Sequence, residues 1–293
     1  MDITGEMEDG ERRHLLAQFL RTRRERLAPG DVGLPVGARR RTPGLRREEV
    51  ALLAGMGASW YTSLEQGRDV HPSEQVLESL ARTLRLTADE RRYLLTLALR
   101  HEPAETAPDA EELSPALRRL VESLDPHPAY IMGRRWDALA WNRAAALVFS
   151  MDALTPPHSR NMLWRIFTNP RLREHNPNWE RVARFTVAQF RSDYARYPGD
   201  PRFATLIADL RRACPEFAVW WSQHDVSGRP DCHKHIRHAT LGTLDFEQVT
   251  MQPDTHPDLK IVILSAEPTT AALLQRHLRH ETSVSAAMPV NSA

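Results

Sequence analysis

The 293-residue chain carries 39 Lys and Arg against 38 Asp and Glu, a formal charge of +1, and is 41% hydrophobic. That length allows two domains with separate cores, while the charge averages a basic N-terminal stretch with a mixed remainder. Only Cys214 and Cys232 occur, no apolar run approaches about eighteen residues, and the opening MDITGEMEDGE is acidic; a disulfide framework, a membrane span and a signal peptide are not expected, and a cytoplasmic location is.

Residues 1–10 read as a disordered N-terminus. From His14 to Leu27, Leu15, Leu16, Phe19, Leu20 and Leu27 form a helical stripe with arginines between them. The loop DVGLPVGARRRTPG follows, longer than a small helical domain needs. In the next segment Val50, Ala51 and Ala54 face inward on one helix. Gly55 supplies the φ > 0 turn with Met56 beneath it, and Tyr61 and Leu64 line a second helix. This spacing is that of a helix-turn-helix. Ser73 is a predicted N-cap ahead of Val76, Leu77, Leu80 and Leu84, and Thr87 with Glu90 forms a predicted capping box for a fifth helix. Residues 11–100 thus read as an all-α DNA-binding domain.

HEPAETAPDAEELSP, residues 101–115, reads as a linker. Beyond it, AYIMGR and WDALAWN are two predicted short strands. Helical stripes follow near 142–149, 179–194 and 203–214, and three more strands are predicted at 234–239, 242–252 and 259–266. Leu244 and Phe246 share one parity, Val249 and Met251 the other, which suggests a bulge between them. The expectation for 116–280 is an α+β domain with an antiparallel sheet, followed by a disordered tail at 281–293.

The segment from Arg12 to Arg47 holds eleven Arg against Glu25 and Asp31, an electrostatic footprint for DNA phosphates. Arg39, Arg40 and Arg41 are placed for phosphates or a minor groove, and Arg46 and Arg47 sit where a helix N-terminus adds its own N–H donors. Ala58, Ser59, Trp60, Thr62 and Ser63 are the candidates facing the major groove; their short side chains discriminate weakly, so groove shape or the arginines must share the task. Glu65 is expected to pair with Arg23 or Arg24 as a structural bridge.

RRRTPGLRREEVALLAG, WYTSLEQGR, HPSEQVLESLARTLRL and the later WWSQHDV resemble MmyB-like bacterial transcription regulators, with a helix-turn-helix of the Cro and phage-repressor class, the XRE family. The resemblance covers about residues 12–268. It implies a PAS-like C-terminal domain holding a small hydrophobic ligand such as a fatty acid, a homodimer, and a double-stranded, palindromic operator with half-sites roughly 34 Å apart. Gly57 departs from the family's usual Ser before the recognition helix, which removes an N-cap or phosphate contact.

All Trp except Trp60 lie in the C-terminal part. Met132, Trp136, Phe185, Phe190, Tyr194 and Trp221 either line an apolar pocket or build an ordinary aromatic core. Arg191 suits a ligand carboxylate, or a bridge to Asp193 or Asp225; the resemblance favours the pocket. Cys232, His233, His235 and His238, with Cys214 and His224, lack zinc-site spacing, so no metal or resident cofactor is expected; His238 is assigned a structural hydrogen bond. No motif of nucleophilic, phosphate-loop or metalloprotease type occurs, so no catalytic residues and no enzyme activity are expected. The reading is a ligand-sensing, sequence-specific regulator; the alternative is a DNA-binding adaptor whose C-terminal domain docks a protein. Replacing Arg39, Arg40 and Arg41 together by Ala should weaken binding to every duplex and flatten its salt dependence, measured by anisotropy titrations across ionic strength.

Overall fold

The computed structural model describes residues 3–35, 44–99, 113–151, 156–174, 176–226 and 233–287, with side chains from 9 to 280. The Arg39–Arg41 triplet, most of the expected linker and Cys232 lie outside these residues. Contacts divide the chain into two compact units. A helical unit comprises residues 1–106 and 184–229, and a sheet unit 107–183 and 230–293.

In the helical unit, α1 (Ile3–Arg26) is followed by a 3-10 turn at Pro29–Val32, then α2 (Arg47–Ala54), α3 (Ala58–Glu65), α4 (Glu74–Thr83) and α5 (Ala88–Ala98). The predicted stripe of α1 is buried, with Phe19 and Leu20 fully so. Gly55 has φ 72°, the left-handed conformation that costs a Cβ-free residue little. The turn is closed as Met56 N–H donates to the Ala51 carbonyl at 2.9 Å. Met56 stays half-buried at the turn, while Val50, Ala51, Ala54, Tyr61 and Leu64 form the inner faces of α2 and α3. Ser73 Oγ accepts from Val76 N–H, and Thr87 and Glu90 make the reciprocal capping box, as their sequence positions predict.

Two expectations about this unit are corrected. Helix α1 reaches back to Ile3, where the composition suggests disorder. From Asp9 onward the helix carries a local Asp9–Arg12 pair at 2.9 Å and is held by distant groups: Arg12 donates to the Leu97 carbonyl at 3.0 Å, and Glu11 accepts hydrogen bonds from residues almost two hundred positions away. The unit also holds more than the five N-terminal helices. Part of α10 (Trp179–Tyr194), α11 (Pro201–Ala213) and α12 (Pro215–Ser222) belong to it.

The sheet unit contains α6 (Pro115–Glu122), β1 (Ala129–Met132), β2 (Ala138–Trp141), α7 (Arg143–Phe149), α8 (Met162–Thr168), α9 (Pro170–Glu174), β3 (His233–His238), β4 (Gly242–Met251), β5 (Lys260–Ala266) and α13 (Pro268–Ala287). The strands are antiparallel in the order β2-β1-β5-β4-β3. Buried Asn142 joins two elements: Oδ1 accepts from Ala129 N–H at 3.0 Å and, as the N-cap of α7, from Ala145 N–H at 2.9 Å. Arg165, also buried, donates to the Phe149 and Ser150 carbonyls at 2.7 Å each, closing the C-terminal end of α7.

The expected bulge in β4 is absent. Its register runs unbroken against β5 from Phe246 to Met251; the irregularity lies in β1, between Ile131 and Met132. Leu244 and Phe246 face a buried side, while Val249 and Met251 lie on the other side and are exposed, so the change of parity marks two faces of a regular strand. The second side is covered over β1 and β5, where Val121 and Leu117 of α6 pack with Ala129, Ile131, Ala140, Leu259 and Ile261. Helices α6, α8, α9, α12 and α13 were not expected from periodicity, and α13 extends through Ala287 into the supposed tail.

Candidate nucleic-acid interface and the buried arginine cluster

The outer side of α3 is small and polar. Ala58 and Ser59 are exposed, and Trp60, Thr62 and Ser63 are half-exposed. Gly57, the N-cap position, makes no side-chain cap, so the departure from the family pattern leaves the first N–H groups of α3 uncapped by a side chain.

One carboxylate holds this helix in place. Glu65 Oε2 accepts from Arg24 Nε at 2.7 Å, and Oε1 accepts from Arg24 Nη2 at 2.8 Å and Arg47 Nε at 2.9 Å. The spare Arg24 Nη1 donates to the Leu45 carbonyl at 2.7 Å. The predicted bridge therefore selects Arg24 of the two candidates, and adds Arg47. Burial pushes the Glu65 carboxyl up, but hydrogen bonds and charge from Arg24 and then Arg47 win, and hold it below its ordinary value of 4.5. Arg47 remains 39% exposed, and a guanidinium has five N–H donors, so the clasp on Glu65 is compatible with a phosphate contact by the same residue. Arg46 is exposed at the α2 N-cap, where its backbone N–H donates to Glu49 Oε2 at 2.6 Å.

A second polar cluster in the helical unit is one that sequence reasoning only grazed. Arg23 is 1% exposed; its Nε meets Glu90 at 3.1 Å, Nη1 meets Asp225 at 3.3 Å, and Nη2 donates to the His224 carbonyl. Arg191 is fully buried, with Nη1 bonded to His224 Nδ1 at 3.0 Å, Nη2 donating to the Trp221 carbonyl, and its guanidinium 4.0 Å from the Trp221 ring centroid. Burial, followed by the charges of Arg191 and Arg23, pushes His224 down to about 3. The imidazole is thus neutral near pH 7, as its acceptor role toward Arg191 requires. Of the bridges proposed for Arg191, Asp225 is hydrogen-bonded to Arg23 instead.

Residues 113–278 match the family model described as the MmyB-like transcription regulator ligand binding domain, more than half of the 293-residue chain. The chain belongs to the MmyB-like transcription regulators. Residues 15–94 match a helix-turn-helix domain, so this MmyB-like chain is a DNA-binding transcription regulator that joins a DNA-reading module to a small-molecule-binding one. No curated protein matches it.

The residues proposed for the ligand in this MmyB-like chain are divided. Met132 and Trp136 are buried in the sheet unit, where Lys260 Nζ lies 5.6 Å from the Trp136 ring centroid. Phe190, Arg191, Tyr194 and Trp221 come together in the helical unit with Phe203 and Phe217, and Phe185 is half-buried there. A cleft of about 180 Å³ in the sheet unit is lined by Asp125, Pro126, Arg143, Gln275, Leu278 and Arg279, none of them in the expected set. Among the described residues no three His, Cys, Asp or Glu are grouped to hold a metal, and no helix is long and apolar enough to cross a membrane. His238 contacts the Leu147 carbonyl at 3.2 Å, and its Nδ1 accepts from Leu241 N–H at 3.3 Å, a structural role.

The signals for the second cluster were present in HDV and in an arginine inside an apolar stripe. Pairing Arg23 with Asp225 spans 202 positions, which no local spacing encodes. Replacing Glu65 by Gln should cost about 3–5 kcal/mol in urea unfolding of the full chain, because Arg24 is left buried without its counter-charge. The sign with pH follows from the depressed carboxyl: its contribution is present above 4.5 and disappears as pH falls through the folded value, so this part of the acid sensitivity should vanish in the variant.

Proposed function

We propose that this regulator reads a palindromic operator as a homodimer, in a sequence-specific way, and that a small hydrophobic molecule of the fatty-acid class tunes its DNA affinity. The observation that carries the DNA side is the surface of exposed Ala58 and Ser59 and half-exposed Thr62 and Ser63 on a helix anchored by the buried Glu65. Such a helix fits a major groove with its N-terminal residues at base edges, while Arg47 and the preceding basic stretch meet phosphates.

For the ligand, support comes from the family match and from Arg191. Its Nε is buried without a hydrogen-bond partner, and its neighbours His224 and the Trp221 carbonyl are neutral acceptors. A carboxylate headgroup would give that Nε an acceptor, beside the rings of Phe190, Tyr194 and Trp221. Coupling requires that the ligand favour one DNA-binding state over another; equal affinity for both would change nothing. Both matched modules are regulatory, and the reading assigns no catalysis.

The adaptor reading draws on Leu120, Val249 and Met251, apolar and exposed in the sheet unit. Mass spectrometry of organic extracts, run beside native mass spectrometry of the purified protein, separates the two. A stoichiometric fatty acid on a dimer is the expected result, and a ligand-free protein would favour the adaptor. In vitro selection on random duplexes should further show that Ser59→Ala and Ser63→Ala alter base preference; an unaltered profile would count against α3 as the reading helix.

A further inference from the structure

Helix α1 is held by residues that the family match assigns to the ligand-binding region. Glu11 accepts from the Tyr194 hydroxyl and, at 2.8 Å, from Gly199 N–H. Twelve positions later, roughly 18 Å along a helix axis, Arg23 reaches Asp225 and the His224 carbonyl. Between these two clasps, Phe190, Tyr194, Phe203, Phe217 and Trp221 pack ring on ring. Residues 184–229 and the helix-turn-helix form one compact unit although the family boundary runs between them.

The next residue on α1 is Arg24, which grips Glu65 at the end of α3. Arg23 and Arg24 share one rigid turn of helix, so a shift of α1 that breaks the Asp225 contact also moves the guanidinium that sets α3. We propose that Glu11, Arg23, Tyr194 and Asp225 are positioning residues for DNA recognition: the segment 184–229 completes the DNA-binding unit by fixing α1, and α1 fixes the reading helix through Arg24 and Glu65. This rests on the reading of α3 as the DNA-facing helix. It makes the DNA-binding unit discontinuous in sequence, and gives the ligand-binding region a hydrogen-bonded handle on α3.

The test uses the full chain carrying Tyr194→Phe and Asp225→Asn together, changes that remove one hydroxyl and one charge without creating a large cavity. Hydrogen–deuterium exchange without DNA should show faster exchange in α1 and α3 and unchanged exchange in β4 and β5. Affinity for a duplex recovered by selection should fall about tenfold, the scale of a lost charge-assisted hydrogen bond, with base preference retained. Ser192→Ala on the same helix should behave as wild type. Unchanged exchange in α1 and α3 would overturn the proposal, and so would uniform acceleration that includes β4 and β5, which reports general loosening. If the wild-type protein selected no duplex, the reading of α3 would fall, while the exchange comparison would still decide whether α10–α12 fix α1.

Discussion

The carboxylate of Glu65 has no access to solvent, and it meets guanidinium groups from two other helices. A buried charge of that kind is tolerated only when its partners are in place, so α1, α2 and α3 must adopt one mutual arrangement for the charge to be satisfied. The apolar residues Val50, Ala51, Tyr61 and Leu64 supply attraction between helices, which alone is non-directional. The arginine forks add direction, because each donor must meet a carboxylate oxygen within hydrogen-bond distance. The outward face of α3 is therefore displayed at a set angle, as a base-reading surface needs.

The same principle recurs along α1. Arg23 uses one acidic partner on α5 and one after α12, while Arg191 relies on neutral acceptors and the face of Trp221. Two buried cations beside a neutral histidine form a costly arrangement in low dielectric, and such arrangements specify one packing more sharply than they stabilise it. In the sheet unit, by contrast, polar precision is delegated to Asn142, Asn161 and Arg165, each of which satisfies backbone groups at helix ends. One unit is organised by charge pairs between helices, the other by a sheet core with capped helices around it.

Function is divided in the same manner. The helix-turn-helix match and the ligand-domain match adjoin in sequence, yet residues 184–229 pack with the former. A regulator needs a physical element that both its ligand and its DNA can bias. A helix group that belongs to one module by descent and to the other by contact is suited to that role.

Local sequence determined much of this protein. The turn at Gly55, the N-cap at Ser73, the Thr87–Glu90 box, the strand positions and the inward residues of α2 and α3 are all encoded within a few residues, because capping, turn geometry and periodicity act at that range. Glu65 as a structural anchor was legible for the same reason: it sits at the end of a short helix in an arginine-rich unit. Tertiary structure alone decided that β4 pairs along its length without a bulge, and that the ligand candidates fall in two units. The faces of β4 follow from its unbroken pairing with β5, and the grouping of α10–α12 with α1 goes with contacts such as Glu11 with Gly199 and Arg23 with Asp225, between residues about two hundred positions apart. Side-chain chemistry announces that a buried Arg needs a partner; only the folded chain selects which one.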